Sequence, residues 1–227
     1  MAVSRPSSSG TSRPSAAAAA AASWVSPDLS TWSELSGASY DHAGSSWSSN
    51  GGTMRISATH GYPDAGLDAG GIVSADLGLT FANVLAIVVE LVIGVIPTSE
   101  TGVRGVGVAL LNTNSLESGK GVVMAPARLS GGNYQLHSWK VGSSASTAAG
   151  ITGPWGTVSV PFPFTEDGPA AGMMGAKGAS LVRVLDSPSL TAFDTGCRIG
   201  LFALRATTGS SVIDVPVTSI RYQVITA

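Results

Sequence analysis

The longest apolar block of the chain is FANVLAIVVELVIGVIP, residues 81–97. It approaches the length of a membrane-spanning helix, so that alternative has to be weighed first. Glu90 lies in its middle, Gly94 and Pro97 interrupt its end, and Val and Ile outnumber Leu and Ala. These features are typical of a strand that is buried on both faces of a sheet. We therefore expect a central β-strand here and no membrane span.

Most of the remaining chain repeats the same pattern of short segments. Each is rich in β-branched or aromatic residues and is bounded by Gly, Pro, Ser, Asn or Asp. The segments are GTMRISAT, GIVSADLG, VRGVGVALLN, GKGVVMAPARL, NYQLHSWKVG, GTVSVPFPF, SLVRVLD, CRIGLFALRA and SSVIDVPVTSIRYQVI. About ten strands at this spacing, without a convincing amphipathic helix or a fixed repeat, predict an all-β sandwich or barrel.

Two local features refine this prediction. Gly105 and Gly107 fall inside a predicted strand, which indicates a bend or a close approach to a neighbouring backbone. In WVSPDLSTWSEL, a short helix or turn capped by Ser26 or Asp28 is one interpretation. A loop pinned by its two tryptophans is the other.

Charged residues make up only 11% of the 227 residues, less than half of the usual share, while 44% are hydrophobic. The surface must therefore be covered by small polar residues or by other subunits, as in crowded assemblies. The net charge of −2 comes with no basic cluster apparent in the sequence beyond Arg5 and Arg13, so nucleic acid is not expected as the main ligand.

The residues that usually carry metal or redox chemistry are sparse. A single cysteine, Cys197, lies in an apolar run and is expected to be buried and inert. His42 and His60 lie apart in turn-rich stretches, and Asp64 and Asp68 are read as turn residues because a calcium loop would need more oxygen ligands. We expect no metal and no cofactor.

Residues 1–23 contain almost only Ser, Ala, Arg, Pro, Gly and Thr. This composition cannot recover the entropy of ordering by packing on its own domain, so we expect an extended arm that is held by partners. Pro6 and Pro14 favour extended geometry, Arg5 and Arg13 could reach carboxylates, and Trp24 would mark the start of the folded body. The seven alanines at 16–22 are too short and too weakly apolar for a secretory signal.

The order of the predicted strands and the closing stretch RIGLFALRATTGSSVIDVPVTSIRYQVI resemble the concanavalin A-like (laminin-G-like) jelly rolls found in lectins, glucanases and viral surface modules. The resemblance covers residues 24–227 and implies an antiparallel jelly-roll sandwich preceded by the arm, 1–23. The acidic motif of the glucanases and the clustered metal ligands of legume-type lectins do not occur in this sequence.

A partial match within that superfamily is Gln135-Leu136-His137, which resembles the Gln-x-His strand of jelly-roll alginate lyases. Alternate strand residues share a face, so Gln135 and His137 could meet one substrate together. Tyr134 and Trp139 could add rings that stack on a sugar. The simpler interpretation makes Tyr134, Leu136 and Trp139 packing residues, and the lyases' other motifs are not intact here.

These features predict a non-enzymatic virion protein, made in the host cytoplasm and placed on the particle surface as a bacteriophage capsid decoration (cement) protein or another particle-surface protein. Its arm would bind neighbouring capsid subunits, and a homotrimer is expected. The alternatives are a carbohydrate- or receptor-binding module of a fibre and, with less support, a polysaccharide lyase. We expect one sandwich domain with a core that includes Val88, Leu91, Ile93, Leu110, Ile199, Leu201, Phe202 and Ile220.

Overall fold

A computed structural model provides the structure of the chain. It describes residues 22–35, 44–56, 67–80, 84–95, 104–115, 121–128, 133–140, 146–151, 156–165, 168–169, 173–176, 182–183, 193, 196–206 and 212–227.

Within these residues the chain forms β-strands and one short 3-10 turn, Leu29–Thr31. The strands are β1 (Ser33–Glu34), β2 (Ser46–Trp47), β3 (Gly52–Ile56), β4 (Leu67–Val73), β5 (Val84–Ile93), β6 (Arg104–Leu111), β7 (Gly121–Arg128), β8 (Tyr134–Lys140), β9 (Ser146–Ile151), β10 (Thr157–Thr165), β11 (Gly168–Pro169), β12 (Met173–Ala176), β13 (Val182–Arg183), β14 (Arg198–Ala206) and β15 (Ile213–Thr226). The all-β prediction is confirmed.

The strands form two antiparallel sheets. The seven-stranded sheet has the order β1-β4-β14-β6-β7-β8-β9. The eight-stranded sheet has the order β13-β12-β10-β5-β15-β3-β2, with β11 paired to β10. The chain changes sheet repeatedly, because β4, β6–β9 and β14 lie in one sheet and β5, β10–β13 and β15 lie in the other. This arrangement is an antiparallel jelly-roll sandwich, as the family resemblance implies.

The core lies between the two sheets. Alternate residues of β5, β6, β14 and β15 contribute to it, as the two-residue period of a strand requires. Of the eight predicted core residues, six belong to this cluster: Leu91, Ile93, Leu110, Ile199, Leu201 and Ile220.

The other two predicted core residues require correction. Val88 is half-buried on the outer side of β5, because the strand alternates between buried and partly exposed residues instead of being buried on both faces. Phe202 is fully buried but lies outside the cluster between the sheets. It alternates along β14 with the core residues Leu201 and Ala203, so it belongs to the opposite face of the seven-stranded sheet.

That opposite face is a second buried layer. Its residues alternate with core residues along β4, β6, β7 and β14, and each is fully buried: Val73, Ala109, Leu111, Val123, Ala125, Ala127 and Phe202. The layer is built mainly from small side chains and glycines. A Cβ at Gly107 would meet the carbonyl oxygen of Met124 and the side chain of Ala125, which confirms the close backbone approach predicted there.

Candidate functional site

The N-terminal segment joins the sandwich through one backbone bridge. Val25 donates from its N–H to the carbonyl of Tyr222 at 2.7 Å, and Tyr222 donates to the carbonyl of Val25 at 2.9 Å. Tyr222 lies in β15, beyond the last residue of that strand that pairs with β3, Val217. The segment therefore pairs with the part of β15 that extends beyond β3, on the edge of β15 that faces away from β5.

Next to this bridge, three side chains form a group that we call the Trp24 clasp: Trp24, Arg221 and Glu90. The Arg221 guanidinium lies 4.3 Å from the centroid of the Trp24 ring, and its Nε donates to Glu90 Oε1 at 2.6 Å. The hydrogen bond to Glu90 raises the pKa of Arg221 above its ordinary value. A guanidinium stacked on an indole face is a favourable cation–π arrangement.

The clasp lies at the solvent surface. Trp24 is 37% exposed and Val25 is 43% exposed, whereas Leu29 and Leu35 are almost completely buried. Asp28 accepts a hydrogen bond from the N–H of Ser30 and caps the 3-10 turn, so the capped-turn interpretation is confirmed with Asp28 as the cap. Within the described part of this segment, Leu29 is the first buried residue, and Trp32 and Leu35 are the next.

The other residues predicted for the arm, Arg5, Pro6, Arg13 and Pro14, lie outside the described residues. So do residues 1–21 as a whole, and the arm remains a prediction. The clasp itself could not be read from the sequence, because Glu90 and Arg221 are 131 positions apart.

The predicted glycan-binding residues lie on β8. Tyr134 packs against the core and its ring lies 5.7 Å from the Arg128 guanidinium. Gln135 is the next residue along the strand and belongs to the other face of the sheet. Tyr134 and Gln135 therefore cannot share one sugar-binding surface, and the predicted patch is divided between two faces.

Gln135, His137 and Trp139 do occupy alternate positions of β8. The register pairs them with Ala127, Ala125 and Val123 of β7. These three neighbours are fully buried, so the strand beside the Gln-x-His positions presents no open apolar groove. Of the side chains of His137 and Trp139 nothing further is described.

Cys197 is fully buried, as expected from its apolar context. Burial raises the pKa of its thiol to about 12, so the thiol stays protonated at neutral pH. Its backbone N–H donates to Asp76, and this hydrogen bond together with one from Gly78 holds the pKa of Asp76 below its ordinary value. Asp76 thus links the loop after β4 to the residue before β14 through hydrogen bonds, so its role is to stabilise the fold.

The ranges given above contain no group of three or more His, Cys, Asp or Glu residues placed to hold a metal ion. In the same part of the chain no helix is long and apolar enough to cross a membrane.

No protein-family model matches the chain, and no curated protein matches it. Among solved structures, it is similar to the carbohydrate recognition domain of Emp47p, with 13% identity over 87% of this chain and 93% of that chain and a TM-score of 0.49. It is also similar to a mutant of alginate lyase Aly36B in complex with alginate tetrasaccharide, with 9% identity over 88% of this chain and 96% of that chain and a TM-score of 0.45. At these values neither likeness assigns a ligand or an activity.

Proposed function

We propose that the chain is a non-enzymatic structural subunit of a virus particle, a surface or decoration protein of a capsid that attaches through residues 1–23. The observation that carries the proposal is the Trp24 clasp. It holds Trp24, the residue that follows the proposed arm, at the surface of the eight-stranded sheet.

The bridge gives the segment a starting geometry for binding a neighbour. Val25 is already aligned antiparallel to Tyr222 by this bridge, and the proposed arm ends two residues before it. An extended segment can add to a sheet edge or lie in a groove of another subunit through backbone hydrogen bonds. Repeated over an array of subunits, weak contacts of this kind give tight attachment.

The surface of the sandwich also favours assembly. Exposed apolar side chains occur at Leu85, Val95 and Val212, with exposures of 48%, 72% and 51%. In a chain with 11% charged residues, few charges oppose the burial of such side chains against further copies. The proposed assembly is a homotrimer on the particle surface, which sedimentation velocity of the purified chain can measure.

Deletion of residues 2–22 tests the proposal. The truncated protein keeps Trp24 and Val25, so its melting temperature should stay within a few degrees of that of the full chain, while its cosedimentation with intact particles should fall strongly. Trp24→Ala in the full chain is the companion variant, and Leu85→Ala, on an exposed part of the same sheet, is the matched control. Full incorporation of the truncated protein would contradict the proposal.

The second candidate is a carbohydrate-binding module, and the observation in its favour is the alternate placement of Gln135, His137 and Trp139 along β8. Calorimetric titration with neutral and acidic oligosaccharides tests it. Gln135→Ala should abolish binding and Tyr134→Phe should leave it unchanged, because Tyr134 belongs to the other face. A lyase would also release unsaturated products, which ultraviolet absorbance detects.

A further inference from the structure

The terminal strands of the two sheets differ in how much backbone they leave open. They are β1 and β9 in the seven-stranded sheet and β2 and β13 in the eight-stranded sheet. Three of them, and the strand β11 beside β10, contain two residues each. The fourth, β9, contains six residues, Ser146–Ile151, and pairs along its whole length with β8. Within the described part of the chain, β9 is therefore the only terminal strand of ordinary length.

The free edge of β9 presents a row of backbone N–H and C=O groups. In an antiparallel pair, successive residues point these groups alternately toward the partner strand and away from it. About three of the six residues of β9 therefore direct both groups away from β8. Such a row is a template for pairing with another chain, and monomeric proteins usually block it with lysine, proline, a bulge or a very short strand.

Other strand edges among the described residues show such blocks. Where β10 extends between its partners β12 and β11, it carries Pro161 and Pro163. Where β4 extends beyond β1, it carries the charged residue Asp68. In β9 there is no proline and no charged residue, and its six pairs with β8 are consecutive, without a bulge. The edge of β9 is therefore open to a further strand.

A second copy of the chain is the partner that this edge fits best. A strand that meets its own copy antiparallel about a two-fold axis is matched to it in length and in pattern. Like charges opposite each other would disfavour this arrangement, but residues 141–165 contain no charged side chain. Pairing of β9 with a different edge of another copy would meet the short, proline-containing or charged edges instead.

We propose that β9 is an interface between two copies of the chain. It pairs antiparallel with β9 of the second copy, so that the seven-stranded sheets of the two copies become one continuous sheet. The contact is two-fold and cannot close a trimer by itself, so it goes beyond the homotrimer proposed above. Where subunits also form trimers, it joins one trimer to another. It does not involve residues 1–23.

Sedimentation velocity of the full chain with a proline at either of two neighbouring positions tests the proposal. Adjacent residues point their N–H groups to opposite sides, so one of Ala148→Pro and Ala149→Pro removes a donor that faces away from β8, and the other removes a bond to β8. The first variant should keep the wild-type melting temperature and lose the contact, which reduces the mass of the assembly by about half. The second variant should have a lower melting temperature.

The halving of the mass and the absolute mass answer different questions. A pair of trimers should fall to a trimer, and a simple dimer should fall to a monomer. The fall therefore tests the β9 contact, while the mass that remains tests the homotrimer, so failure of one proposal is distinguished from failure of the other.

Disulfide cross-linking tests the pairing without proline. Cysteine is placed at one position of β9 at a time, and the full chain is mildly oxidised. Only the residue on the two-fold axis, or the two residues that flank it, should bring its Cα within the roughly 4.4–6.8 Å of its own copy that a disulfide needs. The yield of cross-linked dimer should therefore be highest at one or two neighbouring positions and fall toward both ends of β9.

Ser46→Cys, at an exposed position of the two-residue strand β2, is the matched control and should give no cross-linked dimer. The wild type should give none either, because its single cysteine, Cys197, is fully buried. The proposal is overturned if the proline variant that keeps its melting temperature sediments as the wild type does. It is also overturned if cross-linking is absent, or equal at all positions of β9.

Discussion

Strands β5 and β7 are both apolar, yet their environments differ. In β5, VLAIVVELVI, buried residues alternate with partly exposed ones. In β7, GVVMAPAR, every residue from Gly121 to Ala127 is buried. The strand with the more hydrophobic sequence is therefore buried on one face, and the strand richer in small residues is buried on both.

The difference shows what determines burial on both faces. A long run of Val, Ile and Leu supplies apolar area, but in β5 the fully buried positions alternate with partly exposed ones. In β7 the residues of the second face are small, and Ala125 and Ala127 lie close to Gly107 and Gly105 of the neighbouring strand β6. Small residues at alternate positions are thus the better indicator of a doubly covered strand.

The largest expected effect on the free energy of unfolding comes from a side chain of the second buried layer, compared here with one on the exposed surface. Phe202→Ala should lower the free energy of unfolding by about 3–5 kcal/mol, because a fully buried ring is replaced by a cavity. Leu85→Ala, at a side chain that is 48% exposed, should cost less than about 1 kcal/mol. Urea denaturation measures both, and similar losses for the two variants would contradict the buried layer.

The alternation of β5 can be tested with neighbouring valines. Val89→Ala should cost about 1.5–3 kcal/mol, because Val89 is fully buried in the core. Val88→Ala, half-buried on the outer side, should cost less than about 1 kcal/mol. Equal losses in urea denaturation would restore the prediction of burial on both faces.

The close approach of β6 to β7 can be tested with a pair of glycines. A methyl group at Gly107 would collide with Met124 and Ala125, so Gly107→Ala should destabilise by about 1–3 kcal/mol. Gly156 has open space at the same position, and Gly156→Ala should be neutral or stabilise by up to about 1 kcal/mol. Thermal unfolding of the two variants gives the comparison, and a neutral Gly107→Ala would show that the strands are not so close.

The smallest effect concerns the loop that follows β4. Backbone hydrogen bonds hold the pKa of Asp76 below its unfolded value, so the ionised form stabilises the fold above that value. This contribution should be lost as the pH falls below about 4 through the lowered pKa of the folded state. Unfolding measured as a function of pH tests this. Over this pH range the free energy of unfolding of Asp76→Asn should fall less than that of the wild type. An equal fall in the two proteins would show that Asp76 does not contribute.

The sequence predicted the strands with the strongest β-branched pattern, and it placed Ile199, Leu201 and Ile220 correctly in the core but not Phe202. It did not predict the short strands β1, β2, β9, β11 and β12, because two to six residues with many Ser, Gly or Ala carry little periodicity. The exposed outer side of β5 was also missed, since hydrophobicity alone does not tell which faces of a strand are covered.

The contacts of Trp24 also could be predicted only in part from the sequence. Trp24 was predicted as the start of the folded body from the change in composition, and the structure places it at the bridge. Its contact with Arg221, and that of Arg221 with Glu90, depend on strand register between distant segments. A register of this kind is set by tertiary packing, which single-sequence patterns do not contain.

The most direct test of the proposed attachment is hydrogen–deuterium exchange of the full chain, free and bound to intact particles. Peptides from residues 1–23 should exchange rapidly in the free protein and become strongly protected on the particle. Peptides from β7 should exchange slowly in both states, because this strand is buried and paired on both sides. Equally rapid exchange of residues 1–23 in both states would contradict attachment through this segment.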